Sequence, residues 1–284
     1  MAIETSFLSE LDRFNLVITK RVTSSFIGQR KSIAAGRGVM FKDYRIYAPG
    51  DDIRTIDWKV FARTDDLYVK THEEERNLIL HIIMDFSASM NFGKKMTKFD
   101  YASMLGVGFA YLAMKDNEKF QFCTFSDELS VFQPRRGMGQ LIAMVDHLNG
   151  LKTKGHSMLK DSLVQYKKVI GSRALVFLIS DFLIPIEEIR EALYALGKQE
   201  AKVIQVLDPQ ERELGMQGDF KLKDSETGEK MNVNISRRLT QQYEKLLDSH
   251  IANIQDTCNK LGFRFHSLTT NLPIFDAFFQ ILQQ

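Results

Sequence analysis

Cysteine is almost missing from this sequence. Cys123 and Cys258 are the two in 284 residues, far apart and without metal-type spacing. That excludes a disulfide framework, a thiolate zinc centre and an iron–sulfur centre as the organising feature. Cys123 falls in the apolar stretch 120–125 and reads as a small core residue. Long apolar runs are lacking too. None approaches the ~18 residues of a membrane span, so no transmembrane segment is expected. The opening MAIETSFLSELDRF has early acidic residues where a signal peptide would have its apolar core. A cytoplasmic setting follows as the expectation, and with it two unpaired thiols. An excess of one charge is also absent. Lys and Arg number 38 and Asp and Glu 36, a formal net charge of +2, so no global field points to nucleic acid or membrane. There is no G-x-S-x-G elbow or P-loop, and His72-Glu73 does not continue to a second zinc-protease histidine, because position 76 is Arg.

What the sequence does have is a stretch around which the rest is arranged. Residues 78–90 read LILHIIMDFSASM. A short Ile- and Leu-rich run, closed by a polar turn, predicts a strand buried on both faces. Similar apolar strands are expected at 120–126, 174–180, 202–207 and 263–268, with a short one at 129–132 after the tight turn Ser126-Asp127-Glu128. Helices are expected at 99–114, 140–148, 186–196, 236–261 and 274–282, and from His156–Leu159 to about Val169. Alternating strands and helices imply right-handed crossovers, and so a doubly wound, mostly parallel α/β sheet with one antiparallel edge strand. Gly106 and Gly108 lie inside a helix without a third dinucleotide-loop glycine, which suggests close helix–sheet packing. Residues 211–235 alternate about Thr227-Gly228 and predict a β-hairpin insertion.

The N-terminal part, residues 1–77, reads as a separate helical and loop region. Apolar spacing predicts an amphipathic helix over 7–26. From 20 to 45 there are seven basic residues against one acidic, with three glycines. The stretch reads as loop-rich, either a solvated face or a docking surface for an acidic partner. Past the Pro49-Gly50 turn, Arg45, Asp51, Asp52, Arg54, Asp57, Lys59 and Arg63 interleave both signs around Trp58, the sole tryptophan. Such interleaving reads first as a structural ion-pair network and second as a partner-binding motif. Asp52 and Asp57 have no nucleophile or metal motif beside them that would make them catalytic.

Asp85, Ser87 and Ser89 sit at alternate positions past the first buried strand. Asp181 ends the strand 174–180, and Ser157 starts a helix after a glycine-bounded loop. In a doubly wound sheet these three groups reach the same edge, where ligands of open α/β sheets bind. Two carboxylates with several hydroxyls suit a hard divalent cation such as Mg²⁺, with Mn²⁺ or Ca²⁺ as alternatives. The absence of His and thiolate argues against zinc. An ordinary helix N-cap would use the same residue types, and at this point both readings stand.

The run D-x-S-x-S at 85–89 resembles the metal-ion-dependent adhesion site of von Willebrand factor A domains. That family adds a loop threonine, where this chain has Ser157, and a later strand-end aspartate, matched by Asp181 in LISDF. Residues 36–64, GRGVMFKDYRIYAPGDDIRTIDWKVFART, are similar to the hallmark of the bacterial domain-of-unknown-function family 58. There the motif precedes a von Willebrand A-like domain, here residues 78–284. The resemblance implies a non-enzymatic, cation-dependent protein-interaction module. Asp85, Ser87, Ser89, Ser157 and Asp181 would hold the ion, and an acidic side chain of a partner protein would complete its shell. It also implies a MoxR-type AAA+ ATPase as partner, in assembly or maturation of protein complexes. Two other classes are weighed beside it. A phosphoryl-transfer or hydrolase enzyme using Asp85 lacks a second aspartate two residues on, where Ser87 stands. Nucleic-acid binding through 20–45 lacks interleaved stacking aromatics.

Overall fold

The computed structural model describes residues 12, 35–36, 40–49, 51–73, 79–171, 174–216, 218–225 and 228–282. The helix expected over 7–26 lies, residue 12 apart, outside the described residues. The chain divides into two compact units, one within residues 22–77 and one built mainly from residues 78–284.

In the smaller unit β1 (Ala35–Gly36), β2 (Met40–Ile46) and β3 (Tyr68–Glu73) form an antiparallel sheet in the order β1-β3-β2. Within the stretch expected to be loop-rich, residues 40–46 are therefore strand. A register shift between Phe41 and Asp43 interrupts the alternation that would have advertised it. Between β2 and β3 the acidic residues end and start short elements. Asp52 Oδ1 accepts from Arg54 N at 3.0 Å to open a single 3₁₀ turn. Asp57 Oδ1 accepts from Lys59 N at 3.0 Å as N-cap of α1 (Trp58–Thr64).

The larger unit runs β4 (Ile79–Asp85), α2 (Lys98–Lys115), β5 (Lys119–Phe125), β6 (Leu129–Val131), α3 (Met138–Gly150), α4 (Leu159–Tyr166), β7 (Ala174–Ser180), α5 (Ile186–Leu196), β8 (Glu200–Leu207), α6 (Pro209–Arg212), β9 (Gly218–Lys223), β10 (Lys230–Ile235), α7 (Arg237–Leu261), β11 (Arg264–Thr269) and α8 (Ile274–Leu282). Six strands make one sheet in the order β11-β8-β7-β4-β5-β6, parallel except for β6, which pairs antiparallel with β5. The chain leaves β4 toward β5 on one side, then returns to β7 on the other. The order thus reverses at β4 and β7, the switch point where such sheets open a crevice.

Alternation along the strands divides the core. Ile83 joins a buried cluster with Leu163 of α4, Leu193 of α5 and Cys258 of α7. On the other face α2 lies so close that a Cβ on Gly106 would stand 2.7 Å from Met84 Sδ, and one on Gly108 2.0 Å from the Phe278 ring of α8. The first of these is the close helix–sheet approach expected from the sequence; the second is an approach of two helices. Both cysteines are buried and free. Capping follows the sequence signals. Thr97 and Asp100 form a capping box for α2, Ser236 caps α7, and Gly262 ends α7 with φ +72°. β9 and β10 form the expected hairpin, with Phe220 opposite Val233 and Leu222 opposite Met231. The insertion expected from residue 211 begins later, because 209–212 form α6, which packs into the site described next.

A candidate metal centre at the sheet switch point

Asp85 ends β4 and Asp181 follows β7, and both make the same local turn. Asp85 Oδ1 accepts from Ser87 N at 2.8 Å, and Asp181 Oδ1 from Leu183 N at 3.1 Å. Such Asx turns fix each carboxylate at the mouth of its strand. Asp85 is completely buried and Asp181 is 1% exposed. Asp85 Oδ2 accepts two hydroxyls at 2.7 Å, from Ser157 and from Ser180. Asp181 Oδ2 accepts from Ser89 Oγ at 2.7 Å, and Ser89 Oγ stands 3.1 Å from Ser87 Oγ. The five residues expected from the sequence therefore meet, from three separate connections. Helix α4 starts at Leu159, so Ser157 lies in the loop ahead of it rather than opening the helix as expected.

The cap alternative does not describe Ser87. It occupies the N-cap position of the 3₁₀ turn Ala88–Asn91 without making a side-chain capping bond, and its hydroxyl is turned to Ser89. The Ser157 loop is held by backbone bonds, Ala88 N to Gly155 O at 3.0 Å, Lys154 N to Phe86 O at 3.1 Å and Met158 N to Ser126 O at 3.2 Å. Gly155 has φ +73°, and a Cβ there would meet Asp127 Oδ2 at 2.0 Å, while Asp127 Oδ1 accepts from His156 N at 2.8 Å. The Met158 side chain is 41% exposed.

Three participants were not singled out in the sequence. Ser180 is the last residue of β7, and its Oγ also accepts from Phe182 N at 3.1 Å. Phe182 has φ +51°, a strained conformation for a bulky residue, and its carbonyl lies 2.7 Å from His250 Nε2 on α7. The other two are Lys98 and Glu211. Lys98 Nζ, with no solvent exposure, donates to Asp181 Oδ2 and to Glu211 Oε1 at 2.7 Å each. Glu211 Oε2 in turn accepts from Asp208 N at 2.9 Å. Lys98 is separated from exposed Lys94 and Lys95 by two residues, and no local pattern sets it apart from them. Glu211 carries a sequence signal, Asp208-Pro209 with an acid at the third helical position, but it reads as a capping box.

Burial, and after it the negative charge of Asp181, push the Asp85 carboxyl up to about 6, against the hydrogen bonds from Ser87 and Ser157. Burial acts against charge on Lys98, but Asp181 and then Glu211 outweigh it and hold its pKa above the ordinary lysine value. Burial raises the Glu211 carboxyl, with Lys98 opposing.

The donor set fits a hard divalent cation. It is made of oxygen alone, and neighbouring ligands of an octahedral Mg²⁺ at ~2.1 Å stand about 3 Å apart, close to the 3.1 Å between the Ser87 and Ser89 hydroxyl oxygens. Asp85 and Asp181 supply the charge. The second group of sequence candidates, in the smaller unit, forms local structure. Arg45 Nη2 donates to Asp51 Oδ1 at 2.7 Å, Ala48 N to Asp51 Oδ2 at 2.9 Å, and Tyr44 Oη to Asp57 Oδ2 at 2.9 Å. Asp52 and Asp57 are caps. Trp58 is 57% exposed and meets Phe61 edge-on at 6.0 Å. Arg54 lies in the 3₁₀ turn, and Arg63 in the last turn of α1, where a cation suits the helix end.

Fold and site together define a doubly wound α/β domain with a carboxylate–hydroxyl cluster at its switch point. The chain belongs to the DUF58 family, proteins of unknown function, whose family model matches residues 43–253. An uncharacterized protein of Mycobacterium bovis is 25% identical over 266 residues, 92% of this chain and 84% of that protein. Among solved structures, the conserved hypothetical protein BatB of Bacteroides thetaiotaomicron aligns over 72% of this chain and 97% of its own, at 12% identity and a TM-score of 0.43. An aerotolerance-related membrane protein of Bacteroides fragilis aligns over 72% and 98%, at 12% identity and a TM-score of 0.44. Among the described residues of this chain, no helix is long and apolar enough to cross a membrane.

Proposed function

We propose that this protein is a non-enzymatic, divalent-cation-dependent interaction module of the von Willebrand A type, acting in the cytosol. The observation that carries the reading is the meeting of Asp85, Ser87, Ser89, Ser157 and Asp181 at the switch point, with the Ser87 hydroxyl free of a capping role. Asp85, the three serines and Asp181 would hold Mg²⁺, directly or through water. When bound, the ion supplies an electron-poor position that a carboxylate of a partner protein can fill. Ser87 is read as an ion ligand rather than a nucleophile, its hydroxyl shared between Ser89 and the Asp85 carboxylate. The resemblance of residues 36–64 supports a MoxR-type AAA+ ATPase as the partner, in assembly or maturation of protein complexes.

The test is capture of that ATPase by the full chain in Mg²⁺ and in EDTA, beside Asp85→Ala. Capture that requires Mg²⁺ and is lost in Asp85→Ala supports the reading. Equal capture by both proteins in EDTA sinks it.

A further inference from the structure

A buried ammonium already stands where the candidate ion would need its charge partner. Lys98 Nζ is 2.7 Å from Asp181 Oδ2, the same oxygen that accepts Ser89 Oγ at 2.7 Å. Neither Lys98 nor Asp181 is more than 1% exposed. A lone ammonium at this depth would be costly, and its two carboxylate partners are what make it tolerable. Glu211 is the second of these, also 2.7 Å away. It sits on α6 with one oxygen on Lys98 and the other on Asp208 N, and its carbonyl accepts from Tyr243 Oη on α7 at 2.7 Å. Glu211 is thus fixed from two sides and shares Lys98 with Asp181 at equal distance.

A divalent cation reaching the Ser87–Ser89–Asp181 corner meets this ammonium twice. The two positive charges repel across a poorly screened interior, and both draw on Asp181 Oδ2. We propose that Lys98 is the resident cation of the site. It competes with the divalent ion for Asp181, and Glu211 sets how strongly it competes. The inference rests on the ion-site reading above and goes beyond it. The site keeps a balanced, hydrogen-bonded form without metal, and its divalent affinity is set by a lysine that is not itself a ligand.

The experiment is titration of the full chain with Mn²⁺, following free ion by electron paramagnetic resonance, for wild type, Lys98→Met, Glu211→Gln, the double variant Lys98→Met/Glu211→Gln, and Asp85→Ala. The double variant keeps the net charge of the cluster and removes both charges of the pair, so it serves where Lys98→Met alone fails to fold. Lys98→Met is expected to bind Mn²⁺ about tenfold tighter or more. The double variant is expected to bind tighter than wild type although net charge is unchanged, which a role in bulk charge or in packing would not produce. Glu211→Gln is expected to bind several-fold weaker. Wild-type binding that Asp85→Ala abolishes, with no gain in either Lys98 variant, overturns the role of Lys98 and leaves the ion site standing. Absence of Mn²⁺ binding in all five proteins, or binding that survives Asp85→Ala unchanged, overturns the ion site and this inference with it.

Discussion

Ser157 Oγ donates to Asp85 Oδ2 at 2.7 Å across 72 residues of sequence, and Ser180 Oγ donates to the same oxygen at the same distance. The two hydroxyls are not equivalent. Ser180 also accepts from Phe182 N and locks the end of β7, whereas Ser157 rides on the loop ahead of α4. Removing either donor from a buried carboxylate should cost about 1.5–3 kcal/mol. Ser157→Ala should in addition lose the Mn²⁺-induced rise in melting temperature, with Ser157→Thr restoring it, while Ser180→Ala keeps it. Thermal unfolding with and without Mn²⁺ checks this, and a full Mn²⁺ response in Ser157→Ala would remove Ser157 from the ligand set.

The loop itself can be tested without touching a candidate ligand. Gly155→Ala forces a side chain into φ +73° and onto Asp127. It should weaken Mn²⁺ binding by displacing Ser157, with the far-ultraviolet circular dichroism unchanged. Asp127→Ala, which removes the carboxylate that accepts from His156 N, should act in the same direction and more mildly. Mn²⁺ titration of both variants reads the outcome.

Two glycine-to-alanine changes should have opposite signs. At Gly108 the new methyl would fall 2.0 Å from the buried Phe278 ring, and overpacking of this kind costs about 1–3 kcal/mol. At Gly139, on α3, the Cβ meets nothing within 4 Å. There the helix gains up to ~1 kcal/mol from the lost backbone freedom of glycine. Urea midpoints of the two variants against wild type decide the matter.

A pH dependence follows from His81 on β4. It is 1% exposed, and its Nδ1 lies 2.6 Å from Tyr166 Oη, while its buried Nε2 has no hydrogen-bond partner among the described residues. Burial lowers its pKa from 6.5 to about 4. The unfolded chain therefore binds the extra proton between those values. The His81 contribution is complete above pH 6.5 and is lost as pH falls toward 4, by about 3 kcal/mol at most. His81→Asn keeps a hydrogen-bonding group beside Tyr166 and removes the titration, so its stability should fall less steeply over that window. An unchanged slope in denaturation series from pH 7 to 4.5 would exclude His81 as a source.

The central strands were legible because burial on both faces leaves uninterrupted apolar runs, as at residues 174–180, where strand and expectation coincide. The end of the helix expected over 236–261 was legible because the glycine stop at Gly262 is local chemistry. Strand β2 was not, since its bulge breaks the period-two pattern. Within the hairpin insertion expected over 211–235 the strands themselves start at Gly218, because residues 209–212 fold as a short capped helix whose Glu211 reaches Lys98.

Sequence alone determined the alternation of strands and helices, the strand-end positions of Asp85 and Asp181, and the family motif at 36–64, all features of neighbouring residues in the chain. The tertiary structure decided which acids and hydroxyls share an oxygen, and that Ser87 turns away from capping. It also decided that one lysine among several is stripped of water and held between two carboxylates. That last fact has no local signature. The state of Lys98 depends on Asp181, 83 residues away, and on Glu211, 113 residues away, and only folding brings the three charges within reach of one another.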